Sequence, residues 1–536
     1  MNICTQSLRR LPLSGILAVA VAIACSTRAD DNPMRRFKMP DVPLPAIPNR
    51  ALNITNFGAI PDGKTLNTDA IARGISTLVE TGGGRLVFPP GIWLTGPIEL
   101  KNRIELHVQE GALVLFTPDL SHYPQRTFDV KGRAYTRTMS PLYGNEIEDV
   151  AITGRGVFDA SGDAWRPVKK MKMTERQWKE LLAVPGSVLE NNDTLWWPSA
   201  EAARDRRPTL MKLVNSRRIL LQDATFQNSP GWNLNPTLCE DITIRNITVR
   251  NPWYSQNGDG LDLENCRNVI VRDSRFDVGD DAICLKSGKD AEGRRIAVPT
   301  ENILIENCVV YHGHGGVVIG SEMSSGVRNV RVDNCTFIGT DLGLRFKSTR
   351  GRGGIVEKIY ISNIRMTDIP TEAIGFNMYY GGQAPTENDD GDEPSQSSAT
   401  AVSEETPQFR DIWIQDVVCR GARTAVALQG LPEMPIRGIH LKNVSITSER
   451  GIACTDAENI TLDNVEILNS TGPVISLTAS RDIKIDNLGY KPGAETLFHA
   501  SGKNNRSIQV RNTDLKPAAK DFTFSNGATR DAFRLE

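Results

Sequence analysis

One pattern of apolar and polar positions recurs ten times between Arg217 and Tyr490. Each copy reads roughly x-N/D-I-x-I-x-N/D-x-x-I/F, as in CEDITIRNITV, TENILIENCVV and AENITLDNVEI. Its first apolar position falls at Ile219, Ile242, Val269, Ile303, Val330, Ile359, Ile412, Ile439, Ile460 and Ile483. The steps are 23, 27, 34, 27, 29, 53, 27, 21 and 23 residues, so most match one turn of a solenoid and the 53 is a doubled or much expanded turn. A single β-branched I-x-I strand cannot bury its apolar side alone, whereas stacked copies build a continuous core. Asn and Asp suit the bends between strands, because their side chains bond local backbone and tolerate left-handed geometry. The pattern therefore predicts an all-β fold, a single-stranded right-handed parallel β-helix. A leucine-rich repeat would need a leucine consensus and helices, and a propeller would need four strands per unit.

Ahead of the repeat, RLVFPPGIWLTGPIEL and NRIELHVQEGALVLF alternate as half-buried strands do. Before them a short helix is predicted over 69–79, with Ile71, Ile75, Leu78 and Val79 on one face and Gly82-Gly83-Gly84 as its stop. It fits as a cap over the open N-terminal end of the solenoid. Two stretches break the period. The first, about 166–208, contains a predicted helix over 174–182 and the pair Trp196-Trp197; the second, about 381–407, is acidic and serine-rich and reads as a mobile loop. Insertions in solenoids usually gather on one face, often the binding face. The β-helix is expected over 51–515, after a Pro-rich lead at 30–50 and before a C-terminal tail at 516–536.

A formal charge of −2 over 536 residues points away from nucleic acid, so recognition of an anion has to be local. At the N-terminus Arg9 and Arg10 precede an apolar run from Leu11 to Ala24, too short to span a bilayer comfortably, which reads as a secretory signal over 1–29. Cleavage near Ala29 and lipid attachment at Cys25 are the two routes, and both imply export, to the periplasm, the cell surface or the medium. No other apolar run is long enough to span a membrane. With Cys4 and Cys25 set aside, seven cysteines without CxxC spacing argue against a disulfide framework or a zinc site and for buried core thiols.

Four polar clusters punctuate the stretch from Asn257 to Lys347: NGDGLD (Asn257 to Asp262), GDD (Gly279 to Asp281), GHGG (Gly313 to Gly316) and RFK (Arg345 to Lys347). Strands stacked in register lie about 4.8 Å apart, so equivalent positions in successive turns become neighbours. Asp280 follows Asp259 by 21 positions, His314 follows Asp281 by 33 and Arg345 follows His314 by 31, each about one turn. Hydrolysis of a glycosidic bond needs one protonated carboxyl and one carboxylate, and crowded carboxylates do not all ionise together. Asp259, Asp280 and Asp281 supply such a group. Adjacent residues on a regular strand point to opposite faces, so Asp280 and Asp281 share a site only where Gly279 or a local bend breaks the alternation. His314, among glycines that admit a close ligand, could hold the acid's geometry. Arg345 and Lys347 share a strand face and could bind a uronate carboxylate. Singly, each cluster would equally fit a surface bend or a solvated pair; the repeat is what aligns them.

These motifs resemble glycoside hydrolase family 28, the polygalacturonase-like enzymes, over roughly 56–488. The family's N-T-D, D-D, G-H-G and R-I-K motifs stand here as Asn257-Gly258-Asp259, Asp280-Asp281, Gly313-His314-Gly315 and Arg345-Phe346-Lys347, and FGAIPDGKTLNTDAI and FQNSPGWNLNP are similar too. The resemblance implies an inverting hydrolase on a right-handed parallel β-helix, with no metal and no other cofactor. It makes Asp280 the general acid, Asp259 and Asp281 the water-activating pair, and His314 a support for the acid. Asn257, Arg345 and Lys347 would bind substrate, with Tyr379 or Tyr380 as a further contact. Gly258 in place of Thr and Phe346 in place of Ile are departures that remove no reacting group.

The expected activity is hydrolysis of α-1,4-linked galacturonic acid in pectin, with exo action if the insertions wall off one end of the cleft. The expected partner is a pectic polysaccharide or oligogalacturonide, and the expected state is a monomer. The competing readings are rhamnogalacturonan hydrolysis, calcium-assisted β-elimination on a pectate-lyase-like β-helix, and a β-helix that binds polysaccharide without turning it over.

Overall fold

The computed structural model describes residues 33–204, 207–381 and 398–536. The expected signal segment, Cys25 and most of the second insertion lie outside the described residues. The ten repeat positions form one column of parallel partners, Ile219 on Ile242, Ile242 on Val269, and so on to Ile460 on Ile483. Ile359 pairs directly with Ile412, so the 53-residue step is one expanded turn rather than two. The column extends back to Val150 and forward through Ile508 to Phe533. The fold is a right-handed parallel β-helix.

The recurrent Asn and Asp residues do both things their chemistry allows. Asn268, Asn302 and Asn329 adopt φ of 58°, 58° and 53° at the bends. Their side chains also bond one another down the stack, Asn329 Nδ2 to Asn302 Oδ1 at 2.7 Å, Asn302 to Asn268 at 2.9 Å and Asn268 to Asp241 at 3.0 Å. Inside the coils Phe158 stacks on Phe226 and Phe346 on Phe376, with ring centroids 5.4 and 4.1 Å apart.

Three expectations change. The cap is a helix, α1 (Thr68–Glu80), which buries Ile71, Ile75 and Leu78 in the solenoid core, but Val79 turns out to be 44% exposed. The stretch 516–536 is not a free tail, since strands Phe522–Ser525 and Phe533–Leu535 pair in parallel with the coil before them. They carry aromatic residues, with Phe522 stacked on Phe498, in place of the I-x-I signature that marks the other coils. The part of the Pro-rich lead within the described residues lies against the solenoid, with the Arg36 guanidinium 5.3 Å over the Trp413 ring and Lys38 O accepting from Asn329 Nδ2.

The first insertion is a small module of its own. Its helix α2 (Glu175–Leu182) starts at a Thr174–Gln177 capping box, and Val168, Trp178 and Trp196 form its core beside a three-stranded antiparallel sheet. A second excursion, not foreseen as such, is an antiparallel hairpin of β1 (Gln125–Val130) and β2 (Arg133–Thr138). All seven cysteines among the described residues are buried and free of disulfides.

One sheet of the solenoid carries the polar clusters. Its strands stack in the order β3 (Leu142–Asn145), β4 (Met211–Val214), β5 (Leu234–Thr237), β6 (Leu261–Glu264), β7 (Asp281–Lys286), β8 (Val309–Ile319), β9 (Thr340–Lys347) and β10 (Ile355–Asn377). A short helix, α3 (Asp290–Ile296), follows β7.

Candidate active site

Register builds the site. Leu261 of β6 faces Ile283 of β7, so Asp259 and Asp281, two residues ahead of each, come together in adjacent coils. Asp280 occupies the bend that precedes β7. The neighbours Ala282 and Ile283 both pack into the core, which breaks the strand's alternation and lets Asp280 and Asp281 turn toward the same space. One carboxylate oxygen from each of Asp259, Asp280 and Asp281 lies within 4.8 Å of the other two. Asp259 and Asp281 are buried and Asp280 is half-buried, the most open of the three.

The departures from the family motifs have steric causes. A Cβ at position 258 would stand 1.9 Å from Ser255 Oγ, so the turn that aims Asp259 has room only for glycine. Phe346 points into the solenoid, where it stacks on Phe376. At Gly315 a Cβ would crowd Val318 and approach Asp281 Oδ1 and Arg345, so the missing side chain leaves space beside Asp281.

Arg345 and Lys347 do not stand free for a ligand. Lys347 Nζ donates to Asp281 Oδ2 at 2.6 Å, and Arg345 Nη1 donates to Asp281 Oδ1 at 3.2 Å. Nor does Arg345 stack on His314, because Leu342 faces Gly315 and Arg345 faces Val318. Burial alone would raise the Asp281 pKa, but the charges of Lys347, Arg345 and Lys286 outweigh it and hold Asp281 well below the usual carboxylate range. Asp259 goes the other way. Burial first, then the charges of Asp262 and Asp280, push it well above that range.

His314 gives its backbone N–H to Asp280 O at 2.8 Å, while its Nδ1 pairs with Asp341 Oδ2 at 2.7 Å. The imidazole is therefore oriented by Asp341, a residue the motifs do not mark, although it lies on β9 four positions before Arg345. Of the two tyrosine candidates, Tyr380 covers the site, with its ring 4.9 Å from Lys347 Nζ and 5.6 Å from the Arg345 guanidinium. Tyr379 is buried and lies over Arg350 instead. Asn257, in a left-handed bend, accepts from Arg207 Nη2 at 3.1 Å.

Arg207 was also invisible to the repeat. It comes from the end of the first insertion, donates to Pro230 O and Gln256 O, and feels both Asp259 and Asp280. Burial, reinforced by Arg166, lowers its pKa to about 10. Beside the aspartates lies a second buried charge group. Lys286 Nζ stands 3.2 Å from Glu322 and 3.5 Å from Asp262, and 4.7 Å over the Trp232 ring. Burial lifts Asp262 to about 8 against the pull of Lys286.

Three carboxylates within 4.8 Å offer oxygens of the kind a hard divalent cation takes. Asp281 is already neutralised by two fixed cations, however, and these oppose a further positive charge.

The sequence pattern of glycosyl hydrolases family 28 matches residues 177–460, more than half of the chain and all four clusters. The chain belongs to this family. It is 29% identical over 425 residues to a probable polygalacturonase of Vitis vinifera, covering 76% of this chain and 77% of that one. It is 26% identical over 455 residues to an exo-poly-alpha-D-galacturonosidase of Dickeya chrysanthemi, covering 78% and 72%. The fold is similar to the crystal structure of a hyperthermoactive exopolygalacturonase from Thermotoga maritima, with a TM-score of 0.66, 31% identity and coverage of 82% and 95%. Membership of family 28 makes the protein a glycoside hydrolase and decides against the lyase and binding-only readings.

Proposed function

We propose that the protein hydrolyses α-1,4-linked galacturonate in pectin and does so from a chain end. The observation that carries this reading is the carboxylate triad within 4.8 Å set against Arg345 and Lys347, an arrangement with acid, base and fixed cations in one cleft. Asp280, the most open carboxyl, donates a proton to the leaving oxygen. Crowded carboxylates do not all ionise together, and the proton that this group retains is the one Asp280 presents. Asp281, ionised, takes the proton of the attacking water, and Asp259 positions that water from the other side. Arg345, Lys347 and the Tyr380 ring form the floor on which a uronate ring rests, with Arg345 and Lys347 sharing their donors between Asp281 and the sugar carboxylate.

The spacing calls for a direct test of stereochemistry. Inverting pairs usually stand roughly 6.5–9.5 Å apart and retaining pairs roughly 5–5.5 Å. The short separation on its own would favour retention, while the family motifs support inversion. Proton NMR of the first product decides, because inversion of an α-linkage gives the β-anomer first and retention would overturn the assignment. End-wise action is supported by the exo-acting relatives and by the walled pocket described below. Asp280→Asn is expected to lower kcat on polygalacturonate by about 10²-fold or more with an unchanged melting temperature. Full residual activity would sink the proposal. Release of products from alternating rhamnogalacturonan but not from polygalacturonate would replace the substrate.

A further inference from the structure

The β1–β2 hairpin is rooted beside β3, yet it is fastened to α3 next to the catalytic strand β7. Arg133 Nη1 donates to Glu292 Oε2 at 2.9 Å, and the Tyr135 hydroxyl donates to Glu292 Oε1. Arg295, itself paired with Glu292 at 2.6 Å, donates to the backbone carbonyls of Val130 and Lys131 at 2.9 and 2.7 Å. From β3 to β7 the sheet takes four steps, about 19 Å at the spacing of stacked strands. A six-residue hairpin arm reaches about 20 Å. The hairpin therefore has the length needed to arch over these four coils and meet α3 on the far side.

Beneath it lies a cavity of about 420 Å³, the size of a small-ligand site. Phe128 and Tyr135 of the hairpin line it together with Lys212, Trp232, Arg207 and Glu292. Arg207 is also the residue that feels Asp259 and Asp280, so the cavity adjoins the catalytic carboxylates. Without the hairpin, this part of the cleft would be an open groove along the sheet.

We propose that Glu292 is the latch that holds the hairpin across the cleft, and that this closure, rather than any catalytic group, restricts cleavage to chain ends. A uronate chain can enter the cavity only by its terminus, because a continuous polymer would have to pass through the Glu292 clasp. The cations lining the cavity, Lys212, Arg207 and Lys289 among them, match the negative charge of that terminal sugar. Arg295, the strongest partner of Glu292, lowers its carboxyl pKa to about 2. The proposal rests on the end-acting reading above.

The experiment compares product sizes from polygalacturonate for the wild type, Glu292→Ala, and a variant in which the hairpin tip 128–135 is replaced by a short glycine turn. The hairpin forms a sheet separate from the solenoid, so the shortened variant retains every coil. The wild type is expected to release one small product size from the start, whereas both variants release a ladder of oligomers. Viscosity should then fall several-fold faster per bond cleaved in both variants. An unchanged single product from both variants overturns the latch while leaving end-wise action intact. A wild type that already yields a ladder overturns the end-acting reading and the latch with it.

Discussion

Asp281 meets both cations of the RFK triplet, and that contact changes what those cations are for. Two positive groups spaced two apart on a strand suggested a seat for a substrate carboxylate; in the fold their first partner is the Asp281 carboxylate. Lys347 is buried, so Asp281 without it would be a buried carboxylate with Arg345 as its one remaining direct partner. Breaking a buried pair of this kind costs roughly 3–5 kcal/mol. The sign for activity follows from the same contact. In the proposed mechanism Asp281 takes a proton and so must be ionised; its folded pKa is depressed, and its charge is present above that pKa and lost as pH falls through it. Lys347→Met is expected to raise the Asp281 pKa and to move the acid limb of kcat/KM up by on the order of one pH unit. A pH–rate profile superimposable on the wild type would show that Lys347 does not set that ionisation.

The unit of the solenoid is a strand and its bend, and the Asn ladder is where the two meet. Asn302 at φ 58° donates to Asn268 and accepts from Asn329. Alanine at this position loses both bonds and strains the left-handed backbone, a cost of about 2–4 kcal/mol. Glycine loses the bonds alone, so chemical denaturation should rank wild type above Asn302→Gly and Asn302→Gly above Asn302→Ala. Equal losses for the two would mean that the backbone conformation contributes nothing. The same scale explains what was hard to read from the chain. The strands of the solenoid announce themselves because an I-x-I pair needs a stacked partner. The hairpin at 125–138 does not, because it faces solvent and a cavity and shows no strong apolar alternation. The last coil is hidden for another reason, its core positions being aromatic rather than branched.

Across the whole molecule, buried acids with opposite shifts shape the response to pH. Asp281, depressed, adds stability above the ordinary carboxylate range of about 3.9 and loses it as pH falls. Asp262, raised to about 8, binds its proton more tightly in the folded chain than in the unfolded one. Its contribution is fully present below the unfolded value and is lost as pH rises toward 8, since the folded state then binds more protons than the unfolded. Thermal stability is therefore expected to be greatest on the acid side of neutrality and to decline between pH 5 and 8. Asp262→Asn should flatten that decline in calorimetric scans, and a decline of unchanged slope would assign it to other groups.

By itself the sequence determined the register column from Ile219 to Ile483, the bends and the membership of Asp259, Asp280, Asp281, His314, Arg345 and Lys347 in one region, while the 53-residue step stayed open between one turn and two until Ile359 was seen to pair with Ile412. It could do so because a solenoid turns a linear period into a spatial neighbour, so that spacing alone carries the geometry. Tertiary structure decided what no period encodes. The core placement of both Ala282 and Ile283 turns Asp280 and Asp281 to the same side. Long-range pairs bring Asp341 to His314, Arg207 to Asn257 and Glu292 to a hairpin some 160 residues away in the chain. Those contacts join segments of different coils through side chains that follow no repeat, and only the folded chain sets their distances.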